Sequence, residues 1–97
     1  MKKGKVKDLI DRLKEINNII DNAPEDKYTN YNFHFDLSKK LGGIIYDSRK
    51  LVNPNKIYMD VFKESVIETK KKINLVYKKI SDKNALLIKK IKDKLNH

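Results

Sequence analysis

The chain has no cysteine and no tryptophan, and among its 97 residues only 3 glycines, 2 prolines and 2 arginines. Each scarcity removes a chemistry. Without cysteine there is no disulfide framework, no thiolate metal site and no thiol nucleophile, and the redox compartment goes unread, leaving the cytoplasm as the default expectation. With so little glycine there is no phosphate-cradling loop, and no HExxH metalloprotease signature occurs. No apolar run approaches the roughly 18 residues of a membrane span. The opening "MKKGKVKDLIDRL" passes from lysines into an amphipathic pattern rather than into a signal-peptide core. A soluble, unprocessed protein is expected.

Size narrows the range further. A chain of 97 residues supports one modest core, so residues 1–97 are expected to form a single domain with no deep, walled pocket. Glu64 and Glu68 lie one helical turn apart, as paired catalytic carboxylates can, but pairing with Lys63 or Lys72 is the commoner use of such a spacing. No catalytic residue, cofactor or metal ligand is assigned, and a non-enzymatic protein is expected.

What the chain has in excess is lysine, and the net charge is +10. A basic protein accumulates near polyanions before any specific contact forms. Lysine outnumbers arginine 21 to 2, and Asn and Ile are abundant, as mutational pressure toward A and T produces in any protein. Scarce arginine argues against bidentate base reading. Bias accounts for the choice of lysine but not for its placement: residues 54–97 carry 12 bases and 5 acids, against 6 and 4 in residues 1–22.

The apolar pattern is helical. Val6, Leu9, Leu13, Ile16 and Ile20 alternate spacings of three and four, predicting a first helix from about Lys5 to Asp21, closed by Pro24. In "NAPEDKYTNYNFHFD" the residues Tyr31, Phe33, Phe35 and Leu37 alternate with polar ones, a period of two that suits an extended segment. With no second strand to pair with, this stretch is expected to be an aromatic-rich connection plugging one end of the helices. The sharper alternative is a stacking surface for bases. His34, lacking a nearby His or Cys, reads as an ordinary histidine rather than a ligand.

A second helix is expected from Asp36, interrupted by a turn or close contact at Gly42-Gly43. "LSKKLGGIIYDSRKL" resembles the helix-turn-helix motif of DNA-binding proteins over about fifteen residues. Leu37, Ser38, Leu41, Gly42 and Leu51 stand where that motif has its packing and turn residues. Gly43 and Ser48 depart from it, standing where apolar residues normally join the two helices. The resemblance implies that Tyr46, Ser48, Arg49 and Lys50 face a major groove.

"NPNKIYMDVF" opens the last helical region, with Asn53 as the expected cap and Pro54 at the first helical position. Met59, Phe62, Val66, Ile73, Val76, Ile80, Leu87 and Ile91 keep to one face, flanked by Tyr77, Ile88 and Leu95. One helix from Pro54 to Leu95 would be about 63 Å long, far beyond a compact globule of this length. Ser81 or Asp82 can cap a fresh helix, so a break or bend near Ser81 is expected. The fold class is therefore all-α, a small three- or four-helix bundle with a long basic C-terminal helix.

On this last helix Lys71, Lys78 and Lys89 form a row opposite the apolar stripe, with Lys72, Lys79 and Lys90 beside it and Lys92 on the other flank. Acids almost vanish here, although interleaved signs would stabilise a merely solvated helix. These seven lysines are the candidate nucleic-acid contacts, for DNA or RNA and with little sequence preference. Leu75 and Leu86, on the lysine-bearing side, are the candidate protein interface. A nucleic-acid partner is the first expectation, a protein partner of a helical inhibitor or immunity-like module the alternative. The three-four spacing and the excess helix length also permit a homodimer.

Overall fold

The computed structural model describes the backbone of residues 2–96 and side chains from Lys5 to Asn96, and its secondary structure is entirely helical. Three α-helices follow one another: α1 (Lys2–Asp21), α2 (Asn32–Ser48) and α3 (Lys56–Leu95), with a 3-10 helix at Glu25–Thr29 between the first two. The count is three, not four.

Helix α1 forms on the expected stripe: Val6, Leu9, Leu13 and Ile16 are buried, with Ile10 and Ile20 packed at the margin. Pro24 cannot continue the helix and instead leads into the 3-10 helix, where the Lys27 amide donates to the Pro24 carbonyl at 3.0 Å. Tyr28 is buried there, at the end of the core, and its ring meets Phe33 edge-on at 5.6 Å. The aromatic connection thus closes one end of the helices as expected, but not as an extended segment. From Asn32 onward it is α-helix, because Asn30 accepts the Asn32 amide at 2.9 Å and turns the chain into α2. The period of two in Tyr31, Phe33 and Phe35 is overridden, and Phe35 points to solvent.

Helix α2 runs without interruption through Gly42 and Gly43, neither of which has a positive φ. The turn between two helices that the helix-turn-helix resemblance requires is absent from Asn32–Ser48. Leu37, Leu41 and Ile44 form one buried stripe that crosses the glycines in phase, and its burial outweighs their poor helix propensity. Tyr46, Ser48, Arg49 and Lys50 therefore end α2 and its following turn rather than forming a recognition helix.

Asn53 is not the cap of α3 but a left-handed turn residue, with φ 47°. The cap is Asn55, whose side chain accepts the Tyr58 amide at 3.2 Å. The helix then continues for 40 residues with no interruption at Ser81. No proline or glycine occurs within it, and Ile80 is fully buried immediately before Ser81, so local capping by Ser81 or Asp82 does not displace the continuous backbone ladder.

The helices share one core, in which Phe62, Ile73, Val76 and Ile80 of α3 meet the stripes of α1 and α2. Helix α1 runs parallel to α3: Asn17 donates to Thr69 at 3.1 Å, and further along Lys72 reaches Asp21 at 2.9 Å. Helix α2 runs antiparallel to both, since Arg12 of α1 pairs with Asp47 at 2.7 Å while Tyr31 lies 5.3 Å from Tyr77 of α3. Thr69, a fully buried polar side chain, accepts a hydrogen bond from Asn17.

Lengths decide the outline. At about 1.5 Å per residue α3 is about 60 Å long, against about 30 Å for α1 and about 26 Å for α2. The molecule measures 66 × 21 × 17 Å, and its radius of gyration is 17.7 Å. A compact chain of this length would have about 13 Å. Beyond Lys83, α3 leaves the other helices behind.

Candidate interaction surface

The lysines of α3 divide into two groups. Lys72 donates to both carboxylate oxygens of Asp21, at 2.9 and 3.1 Å, fastening the end of α1. Lys79 and Lys83 both donate to Glu25, Lys79 at 3.1 Å, and the Lys79 ammonium sits 4.1 Å from the centre of the Tyr28 ring. Hydrogen bonds from Lys83 and Lys79, together with their charges, hold the exposed Glu25 carboxyl below the ordinary range. This arrangement pins the 3-10 helix, and Tyr28 with it, onto α3. Two of the candidate phosphate contacts, Lys72 and Lys79, are thus engaged in holding the fold. Lys71 makes a looser, exposed pair with Glu68 at 3.6 Å, so Glu68 is bonded to neither Lys63 nor Lys72. Lys78, Lys89, Lys90 and Lys92 have no acidic partner within ion-pair distance among the described residues.

Leu75 and Leu86 are 64% and 55% exposed and lie along one open depression with Lys78, Lys79, Asp82 and Lys83. They share the outer side of α3, as their spacing predicts. The aromatic residues mostly pack on one another: His34 lies 5.1 Å and Tyr31 5.3 Å from the Tyr77 ring. His34 Nε2 lies 3.4 Å from the Ser38 hydroxyl, and no group of three acidic or histidine side chains gathers as a metal set among the described residues.

The larger feature lies on the opposite face of α3. Its apolar stripe keeps phase from Phe62 through Ile80 and onward to Leu87, Ile91 and Leu95, with Ile88 at its margin. Up to Ile80 the stripe is covered by α1, α2 and the 3-10 helix, and Ile80 is 0% exposed. Two turns further on Leu87 is 57% exposed, and Ile88, Ile91 and Leu95 are exposed with it. Sequence periodicity assigns Leu87 and Ile91 to the core face, which they share, but among the described residues both are exposed. The signal that would have found them is the length mismatch: a stripe of 40 residues cannot be covered by helices of 20 and 17.

The result is a step. The body ends at Lys83, where Glu25 of the 3-10 helix makes its last contact, and α3 continues alone with its apolar face turned into the notch. No described helix is long and apolar enough to cross a membrane. No family model matches the chain, and no curated protein or solved structure is significantly similar to it.

Proposed function

We propose that the protein is a non-enzymatic helical interaction module that presents the projecting end of α3 to a protein partner. The observation that carries this reading is the in-phase continuation of the core stripe into solvent at Leu87, Ile91 and Leu95. Scattered exposed leucines are ordinary, but a contiguous apolar stripe on a preformed helix is the form in which helices dock to one another. Because the projecting turns extend a helix whose first half is locked in the core, little ordering is needed on binding.

A photo-crosslinking amino acid at position 91, compared with one at position 89 on the back of the helix, tests the reading in cells. Discrete, nuclease-resistant protein adducts from position 91 and none from position 89 are expected. Adducts distributed equally between the two positions would refute it.

The second reading is nucleic-acid binding through the lysine rows, favoured by the unpaired Lys78, Lys89, Lys90 and Lys92. Its contact set is smaller than the row spacing suggests, because binding through Lys71, Lys72 and Lys79 requires breaking ion pairs to Glu68, Asp21 and Glu25. Four remaining contacts on duplex DNA correspond to a slope of log affinity against log salt of about −3.6. Anisotropy measured with labelled DNA and RNA across a salt series separates this reading from the first, which predicts no binding at physiological salt.

A further inference from the structure

We infer that the notch beside the projecting end of α3 receives an acidic amphipathic helix of a partner protein, laid along Leu87, Ile91 and Leu95 and abutting the end of the body. The inference rests on the interaction-module reading and adds the shape and charge of the occupant.

Charge comes first. Around the helix at about 100° per residue, the stripe is edged by Lys90 and Lys94 on one side and by Lys92 on the other. The acids of this segment, Asp82 and Asp93, both fall nearly opposite the stripe. The docking face is therefore apolar with an exclusively cationic rim, and among the described residues no carboxylate pairs with those three lysines. A partner helix whose own stripe is edged by Glu or Asp places opposite charges along both rims, as complementary helix pairs do. A second copy of this chain would bring a lysine rim against a lysine rim in either orientation, which disfavours self-pairing.

Shape comes second. The stripe faces the same side of α3 as α1 and α2, whose axes stand about 8–10 Å away at ordinary helix spacing. A flat surface approaching the tip meets this body first and is held off the first turns of the stripe. The tip also has no aromatic side chain beyond Tyr77 to settle at a lipid boundary. A rod about 10 Å thick fills the step, continuing the layer that α1 and α2 form. The free length from Asn84 to Leu95 is about 18 Å, or three turns, which sets the length of the docked segment.

The test uses the full chain, isotope-labelled, titrated with three synthetic helix-stabilised 15-residue peptides: one with leucines in three-four spacing edged by glutamate, one edged by lysine, and one glutamate-edged with serine replacing leucine. Saturable binding of the first, with amide shift changes confined to residues 84–95, is expected. The other two should bind at least about tenfold more weakly. The paired substitution Leu87→Gln with Ile91→Gln lies on exposed positions and should lose at least about tenfold in affinity while circular dichroism stays unchanged. Lys90→Glu, Lys92→Glu and Lys94→Glu together should reverse the preference between the glutamate- and lysine-edged peptides. Equal binding of those two peptides at the stripe would overturn the acidic-partner inference while leaving the module reading standing. Absence of peptide binding, together with binding to 1:1 phosphatidylcholine–phosphatidylglycerol vesicles or concentration-dependent self-association, would overturn both.

Discussion

Ile80 and Leu87 belong to the same stripe of α3, two turns apart, and the structure assigns them opposite energetic roles. Ile80 is fully buried in the shared core, so Ile80→Ala removes buried carbons and leaves a cavity, at a cost of about 3 kcal/mol within the 2–5 kcal/mol range of such truncations. Leu87 is more than half exposed, and alanine is the better helix former. Leu87→Ala should therefore change stability by less than about 0.5 kcal/mol. Urea unfolding followed by circular dichroism reads both. With an m-value of about 1.5 kcal/mol/M, the first variant should lose about 2 M in midpoint and the second less than about 0.4 M. The comparison holds residue class, helix and stripe constant and varies only coverage. If Leu87→Ala costs as much as Ile80→Ala, the tip is covered in solution and the notch does not exist. A cost that grows with protein concentration would show that a second copy does the covering.

Other substitutions test how the body holds together. Gly42→Ala should stabilise by about 0.5–1 kcal/mol, since α2 is helical there and an added Cβ meets nothing within 4 Å; a melting-temperature decrease would instead restore a turn at the glycines. Asn55→Ala should cost about 1 kcal/mol by removing the cap on the Tyr58 amide, whereas Asn53→Ala should not act through that cap. Glu25 should titrate below its ordinary value of 4.5 in a carboxyl-detected NMR series, and Lys79→Gln with Lys83→Gln should bring it back toward that value. Because the folded form lowers this pKa, the contribution of the Glu25 pairs is present above that ordinary value and is lost as pH falls through the depressed folded value. A Glu25 midpoint at the ordinary value of 4.5 would show that the 3-10 helix is not pinned by the two lysines.

Much of the helical architecture was legible in the sequence because it rests on period. Val6, Leu9, Leu13 and Ile16, and Phe62, Ile73, Val76 and Ile80, are buried as their spacing requires. The errors share a physical origin: each came from a local signal that a longer-range one outweighed. Gly42-Gly43 weakens a helix by roughly 2 kcal/mol, less than the burial of Leu37, Leu41 and Ile44 on both sides supplies. Ser81-Asp82 offers a cap, but a cap is worth about 1 kcal/mol and breaking α3 there would disturb Ile80. The alternation in Tyr31 to Phe35 had no strand to pair with, so backbone hydrogen bonding fell to the helix. Asn53 and Asn55 both precede a helical run with Pro54 between them, and only the tertiary path shows which one caps and which one turns.

The interaction surface was less legible because periodicity reports which residues share a face and not whether anything covers that face. Leu75 and Leu86 attract notice in the sequence by standing among lysines, whereas Leu87, Ile91 and Leu95 look like core. The lysines follow the same logic. A row plotted on a helix treats Lys72, Lys79 and Lys90 as equivalent, yet Asp21 and Glu25 lie far away in sequence and close in space, and they engage the first two. Lys90 lies past the end of α1 and the 3-10 helix, and among the described residues no acid pairs with it. Lys83 therefore marks the boundary between Lys72, Lys79 and Lys83, which fasten the fold, and Lys90, Lys92 and Lys94, which rim an open apolar face, and the same boundary separates buried stripe from exposed stripe. Composition bias toward lysine acts on both sides of that boundary alike. It does not account for carboxylates opposite the rim lysines being absent on one side and present on the other, and a partner's carboxylates in the notch would make the two sides equivalent.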